Sequence, residues 1–230
     1  TMLPDLLVRK LKDLNVPDDM CKWILDFLMD RKQQVRVNST VSSMLSISTG
    51  APQGCVLSPV LFTVYTNDCT STQPGCIVAK YADDTCIVGL ITDSDETAYR
   101  NQVKDIASWC KPHNMLLNVD KTKEMAIDFR RKNYNVFIPI FIDGAIVEVV
   151  CSFVYLGTTI SDDLKWSQNI SHVVASAYKR IYYLRKLREF NVDKKIMTLF
   201  YKSCIESVLT CGLLIWYESL TKADLRKLDK

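Results

Sequence analysis

Two adjacent carboxylates, Asp83 and Asp84, stand in KYADDTCIVGL (80–90) between the apolar runs CIVAKYA (76–82) and TCIVGLI (85–91). Both runs are short and β-branched, as strands are, and two residues between them form the shortest link that folds back into a hairpin. A turn made only to reverse the chain favours Asn-Gly or Asp-Gly, whose residues tolerate positive φ. Asp-Asp lacks that advantage, and two like charges at the tip of a half-buried hairpin repel each other and lose solvation. A divalent cation offsets both costs, and carboxylate oxygens are the ligands that magnesium prefers. A solvated acidic turn is the plain alternative, because Asp is common in turns. The surrounding elements have to decide between them.

Those elements read as follows. Pro4 opens a helix with Leu3, Leu7, Leu11 and Leu14 on one face. A second helix runs from about Asp18 to Asp30 with Trp23, Phe27 and Leu28, and VRVNSTVSSMLSIST (35–49) alternates as a β-ribbon does. GAPQGCVLSPVLFTVYTND (50–68) is a Gly- and Pro-punctuated loop entering a helix, with Ser58 as N-cap, Pro59 at N1, and Val60, Leu61, Val64 and Tyr65 at helical spacing. After the Asp-Asp hairpin comes a helix from about Ser94 to Cys110, closed by Pro112. LLNVDKTKEMAIDF follows, then the strand candidates VFIPIFI and AIVEVV, parted by Asp143-Gly144, and then SFVYLGTTI. From Trp166 the period is helical: Ile170, Val174, Ala177, Ile181 and Leu184 mark one face, and Phe200, Cys204, Val208, Cys211 and Ile215 mark the next helix. Strands mixed with helices and then helices alone indicate an α+β body followed by a small helical domain, with the boundary near residue 160.

The 230 residues, 48% hydrophobic and 24% charged, suffice for one large domain or two small ones with real cores. A net charge of +3 is too mild to require a polyanionic partner, but nine Lys or Arg between Lys165 and Lys202 face only Glu189 and Asp193. Nine cysteines without a C-x-x-C pair, several inside apolar runs, read as reduced thiols of an intracellular protein; nucleus and cytoplasm are not distinguished. His113 and His172 stand alone, so neither a His-based metal site nor a catalytic triad is supported, and VLTCGLLIWY (208–217) by itself is too short to cross a bilayer.

In order and rough spacing, STGAPQGCVLSPVLFTVYTND, YADDT, LLNVDKTK and FVYLGTTI resemble motifs B, C, D and E of the reverse transcriptases of non-LTR (LINE-like) retrotransposons. The resemblance covers nearly the whole chain. It implies a polymerase palm, an antiparallel sheet with packed helices, over residues 1–160, and a partial helical thumb over 161–230. It also implies RNA-directed DNA polymerisation with an RNA template, a DNA primer and dNTPs as partners, and no membrane. Two magnesium ions about 4 Å apart, with manganese as a substitute, would activate the primer 3′-hydroxyl and neutralise the departing pyrophosphate. Asp83 and Asp84 would hold them, Asp83 being the more essential. Tyr81 and Ala82 would lie beside the primer end and new base pair, Gln53 and Gly54 beside the template–nucleotide pair, and Lys121 beside the leaving group. Leu156-Gly157 matches the primer-grip turn. Lys179, Arg180, Arg185, Lys186 and Arg188, interleaved with Tyr178, Tyr182 and Tyr183, suit a surface gripping an RNA–DNA duplex.

The family also carries a strand with another metal-binding Asp, motif A, immediately before the helix that begins here at TMLPDLL; Thr1 reads as its last trace. Asp5, Asp13, Asp18, Asp19, Asp26 and Asp30 sit in helical or turn contexts and do not replace it. The expectation is therefore a piece that lacks the first palm strand, most of the fingers and part of the thumb, and that does not incorporate nucleotides alone. Two readings stay open: a segment of a polymerase, or a non-catalytic nucleic-acid-binding remnant of one.

Overall fold

The computed structural model of the chain describes residues 1–129 and 138–228. In chain order the elements are α1 (Pro4–Asp13), α2 (Asp18–Leu28), β1 (Arg31–Gln33), β2 (Arg36–Val37), β3 (Thr40–Val41), β4 (Leu45–Ile47), α3 (Leu57–Tyr65), β5 (Cys76–Tyr81), β6 (Asp84–Gly89), α4 (Thr97–Cys110), β7 (Lys123–Glu124), β8 (Phe141–Ile142), β9 (Ala145–Ile146), β10 (Glu148–Val149), β11 (Ser152–Tyr155) and β12 (Thr158–Ser161). Helices then take over: α5 (Ser167–Glu189), α6 (Lys194–Phe200), a π-helical turn (Tyr201–Glu206), α7 (Ser207–Thr210), α8 (Leu213–Trp216) and α9 (Lys222–Leu228). They form two compact units, one of Thr1–Val119 with Ile140–Ile146, the other of Asp120–Pro139 with Val147–Lys230. The mixed helix-and-sheet class agrees with the sequence. Among the described residues, however, strands pair only in twos, and β7–β10 is the one parallel pair. The predicted strand VFIPIFI begins outside the described residues and contributes only β8, which pairs with β9 through the Asp143-Gly144 turn, both residues at positive φ.

In the first unit, α1 packs on both α2 and α3. Leu7 and Leu11 bury against Cys21, Ile24, Leu28, Leu61 and Tyr65, whereas Leu14 lies past the helix end and is exposed. A second cluster joins Cys69 to Ile106 and Cys110 of α4, with Val78 and Ile87 of the β5–β6 hairpin laid against it. Burial pushes the Cys110 thiol up to about 11, which keeps it protonated and inert. All nine cysteines are free, but only Cys21, Cys69 and Cys110 are buried, while Cys151 and Cys211 are exposed.

A buried ammonium fastens α1 to α3 and to the end of α4. Lys10 Nζ donates to the Tyr65 carbonyl and to Asp68 Oδ1, both at 2.5 Å, and lies 5.3 and 5.2 Å from the ring centres of Tyr65 and Trp109. His113 stacks on Trp109 at 3.9 Å and brings Nε2 to 3.6 Å from Asp68 Oδ2, and the Tyr65 hydroxyl donates to the His113 carbonyl at 2.7 Å. A lysine on a core face is tolerated because its charge meets a carbonyl, a carboxylate and two ring faces there.

In the second unit, α5 buries Asn169, Ile170, Val173 and Ala177, and Asn169 Oδ1 accepts the Thr159 N–H at 3.0 Å, holding β12 to the helix. The predicted face Phe200, Cys204, Val208, Cys211 and Ile215 is displaced by one residue: Ile205 and Trp216 are the buried side chains, and Ile215 is exposed. The π-helical turn inserts the extra residue, and Gly212 in the left-handed region breaks the run again. The helical run Lys194–Ser219 is long and apolar enough to cross a membrane by length and composition, which the ten-residue stretch considered alone did not indicate.

Desolvation pushes the Asp68 carboxyl up, but the hydrogen bond and charge of Lys10 outweigh it and hold the group below its ordinary value. A carboxyl depressed in the fold stabilises above its unfolded pKa, near 4, and loses that contribution as pH falls through the folded value. Asp68→Asn is therefore expected to cost about 0.5–1 kcal/mol at pH 7, because the Asp68 side chain is half exposed and water screens the pair. The gap from wild type in urea unfolding should narrow below about pH 4. Equal midpoints at pH 7 would show that the pair holds nothing together.

Candidate active site

The hairpin ladder pairs Cys76 with Gly89, Val78 with Ile87 and, last, Tyr81 with Asp84. The turn residues are thus Ala82 and Asp83, not the Asp-Asp pair read from the sequence. Asp84 is already the first residue of β6. The cost falls on Ala82, whose φ is +52°, a region that L residues with a Cβ occupy at an expense of about 1–2 kcal/mol. Strand alternation then sorts the side chains. Val78 and Ile87 face α4, while Ile77, Ala79 and Tyr81 share the other face with Val88, Cys86 and Asp84. That face is open: Ile77 is 64% exposed, Val88 54% and Tyr81 65%. Asp84 therefore stands directly across the strands from Tyr81, with Asp83 beside it in the turn. Both acids are exposed, and among the described residues neither carboxylate has a hydrogen-bond or ion-pair partner.

Lys80, on the α4 side, donates its ammonium to the Thr66 carbonyl at the C-terminal end of α3. A cation at that end of a helix is favoured by the dipole, and the bond fixes the hairpin tip to α3. Neither Lys80 nor Lys10 was legible as a positioning residue, because each meets its partner across a stretch of chain that carries no local signal.

The loop entering α3 is braced at both ends. Gly50 donates its N–H to the Met2 carbonyl at 2.8 Å, and Arg31 Nη2 donates to the Thr49 and Gly50 carbonyls at 2.5 and 3.1 Å. Ser58 is not the N-cap. The helix starts two residues before the predicted Pro59, at Leu57, and the Ser58 hydroxyl turns back to donate to the Pro52 carbonyl at 2.5 Å. Val56 stands at the N-cap without a side-chain cap, and the Cys55 sulfur just before it accepts the Ser58 N–H at 3.3 Å; the Ser58 hydroxyl and that N–H hold the thiol below its ordinary value. Gln53 and Gly54 form the exposed apex. Gly54, at φ +80° with open space where a Cβ would stand, takes a conformation suited to glycine.

Tyr81, Ala82, Asp83 and Asp84 are thus brought together in one hairpin, and Gln53 and Gly54 lie in a separate loop of the same unit. Lys121 belongs to the second unit, exposed in the turn before β7. There Leu156-Gly157 links β11 to β12 with φ of +47° and +81°, so a leucine carries the strain at this turn. On α5 the basic residues divide. Arg180 donates to the Cys204 carbonyl and braces the helix packing, and Lys186 pairs with Glu189 at 2.6 Å and lies over the Tyr182 ring. Lys179, Arg185 and Arg188 have no ion pair among the described residues.

No group of three or more His, Cys, Asp or Glu side chains gathers among the described residues in a way that could hold a metal. Asp83 and Asp84 are the right donors for magnesium but only two of them, so water or substrate phosphate oxygens would have to complete its shell.

A family model described as reverse transcriptase (RNA-dependent DNA polymerase) matches residues 3–160, more than half of the chain, including the loop, the hairpin, Lys121 and the Leu156-Gly157 turn. The chain belongs to this family. It is 28% identical over 224 residues to the probable RNA-directed DNA polymerase from transposon BS of Drosophila melanogaster, and 24% identical over 228 residues to the RNA-directed DNA polymerase from mobile element jockey of the same fly; each match takes in 92% of this chain and 24% of the relative. The X-element polymerase is 23% identical over 202 residues, 83% of this chain and 22% of the relative. The chain spans about a quarter of the length of these relatives, whose mobile-element origin agrees with the LINE-like resemblance. A short stretch, 166–207, also matches a model described as alkylated DNA repair protein alkB homolog 8, N-terminal.

The turn strain gives a clean test. Ala82→Gly should relieve the positive φ and, after the added freedom of the unfolded chain, raise stability by about 0.5–1 kcal/mol. Ala79→Gly, in the interior of β5, should lower it by about 0.5–1 kcal/mol. Urea midpoints that move the same way for both would place the turn elsewhere.

Proposed function

We propose that this chain is a segment of an RNA-directed DNA polymerase, residues 1–160 serving as palm and 161–230 as the beginning of a thumb. The observation that carries the reading is the last ladder pair, in which unpartnered Asp84 faces Tyr81 on an open strand surface with Asp83 in the adjoining turn. Carboxylates that lack internal partners and share a surface with an aromatic ring suit a site completed by an external cation and a nucleotide.

In this mechanism the primer 3′-hydroxyl gives up its proton to water and its oxygen attacks the α-phosphorus of a dNTP, forming a new P–O bond as the bond to pyrophosphate breaks. Asp83 and Asp84 would hold the divalent cations of the reaction, which would lower the pKa of the primer hydroxyl and neutralise phosphate charge. Tyr81 and Ala82 line the primer end, and Gln53, on its braced apex, meets the template–nucleotide pair with both its donor and its acceptor. Lys121 supplies positive charge to the leaving pyrophosphate. Leu156-Gly157 orients the primer strand. The exposed stripe of Lys179, Tyr182, Tyr183 and Lys186 on α5, at helical spacing, grips the template–primer backbone. Nine unpaired thiols go with an intracellular setting.

A chimera carrying residues 1–230 in place of the matching segment of one of the longer relatives tests the assignment. It should extend a DNA primer on an RNA template, and Asp83→Asn should lower the rate at least about 100-fold, the scale on which one electrostatic catalytic group acts. Extension that survives Asp83→Asn with Asp84→Asn contradicts the site. A folded chimera that never extends supports the remnant instead. In hybrid binding, Lys179→Ala with Lys186→Ala should reduce the log–log salt slope by roughly 0.9 for each phosphate that is no longer neutralised. Arg180→Ala should lower stability and leave that slope alone.

A further inference from the structure

A shallow groove of about 430 Å³ runs between α5 and α6, lined by Leu184, Arg185 and Arg188 on one side and by Lys194, Met197 and Tyr201 on the other. The first three sit at i, i+1 and i+4 of α5; the others sit at i, i+3 and i+7 of the run that starts at α6, so each set is one helix face. At 3.6 residues per turn, Leu184 and Arg188 lie about 100° to 180° around α5 from Lys179, Tyr182, Tyr183 and Lys186, while Arg185 lies about 60° from Tyr182. The groove is therefore a second positive surface that borders the basic and aromatic stripe at Arg185.

Its charge is unanswered from within. Arg185, Arg188 and Lys194 have no ion pair among the described residues. The two acids between them in sequence are already engaged, Glu189 with Lys186 at 2.6 Å and Asp193 as the cap of α6, accepting the Lys195 N–H at 2.7 Å. Beneath the cations the floor is apolar, Leu184 and Met197, the latter a side chain that adapts to irregular apolar partners. A nucleic-acid strand brings a charge at every nucleotide and seeks aromatic faces to stack on; Tyr201 is the one ring in the lining of this groove, whereas the paired rings of Tyr182 and Tyr183 line a different pocket with Lys179 and Arg180. What matches three cations around an apolar floor is a chain that alternates carboxylates with a bulky apolar residue.

We propose that the α5–α6 groove docks an acidic peptide segment of a protein partner. One apolar side chain rests on Leu184 and Met197, and flanking carboxylates meet Arg185, Arg188 and Lys194. The arginines offer bidentate geometry to carboxylates, which orients the segment along the groove.

The test is fluorescence anisotropy on the 230-residue chain with three probes: a labelled peptide of Glu and Asp around a central Leu-Phe pair, the same peptide with Gly-Ser at its centre, and a short RNA–DNA hybrid. The apolar-centred peptide should bind, and the Gly-Ser peptide should bind about tenfold more weakly, as loss of a well-seated apolar side chain implies. Arg185→Glu with Arg188→Glu should weaken the first peptide by about tenfold or more, and Lys179→Glu should leave it unchanged. Met197→Ser serves as a second variant with no charge change and should reduce the preference for the apolar centre. Far-UV circular dichroism and urea midpoints confirm that each variant is folded; should the double reversal unfold, Arg185→Gln with Arg188→Gln carries the same expectation at smaller size. Equal binding of the two peptides, or wild-type affinity in a folded arginine variant, overturns the proposal. So does displacement of the peptide by the hybrid together with loss of hybrid affinity in the arginine variants, which would make the groove a nucleic-acid surface.

Discussion

The buried ammonium of Lys10 sets the geometry of the first unit. A charge removed from water is sustained only where acceptors surround it, so α1, the C-terminal end of α3 and the Trp109–His113 end of α4 must meet at one point. With that end of α3 fixed, Lys80 can donate to Thr66 one residue beyond it and bind the hairpin to the same place. The other end of α3 carries the braced loop with Gln53. One helix thus has a polar fastening at each terminus, and the two segments proposed to handle the nucleotide and the metal are both anchored to it.

The hairpin itself spends stability at its tip. An isolated two-stranded ribbon is marginal in water, and this one is supported on a single face by α4. The other face leaves Ile77, Tyr81 and Val88 exposed, and Ala82 holds a backbone angle that glycine would take without cost. Strain and exposed apolar surface gathered around two unpartnered acids are what a binding surface needs, and they contribute nothing to holding the fold together. Leu156, strained in the same sense in the second unit, repeats the pattern at the turn proposed to orient the primer.

Elements with strong local signals were legible in the sequence. Apolar runs around a short link marked the hairpin, Asp143-Gly144 marked a turn, and a 3.6 period marked α5. Misreadings arose where a distant or irregular feature decided the outcome. The turn slipped by one residue because the Tyr81–Asp84 pair forces Ala82 into a conformation its side chain disfavours. Ser58 bonds backwards to Pro52, and the N-cap falls on Val56 with the Cys55 sulfur taking the Ser58 N–H, an arrangement with no sequence signature. The face after Phe200 shifted because a π-helical turn adds a residue that a period of 3.6 does not anticipate. Arg180 read as part of a duplex-gripping surface and Lys10 carried no reading at all; the Cys204 carbonyl and Asp68, which give them structural roles, lie 24 and 58 residues away.

The hairpin tip, with Asp83 and Asp84, is proposed as the place where a divalent cation meets this chain. Manganese titrated into isotopically labelled protein broadens the amide resonances of nearby residues, so it reports even weak binding residue by residue. Cation binding at the tip should selectively broaden Tyr81 through Thr85, and that broadening should disappear in Asp83→Asn with Asp84→Asn. Broadening centred on any other acidic group, or unchanged in that variant, would contradict it.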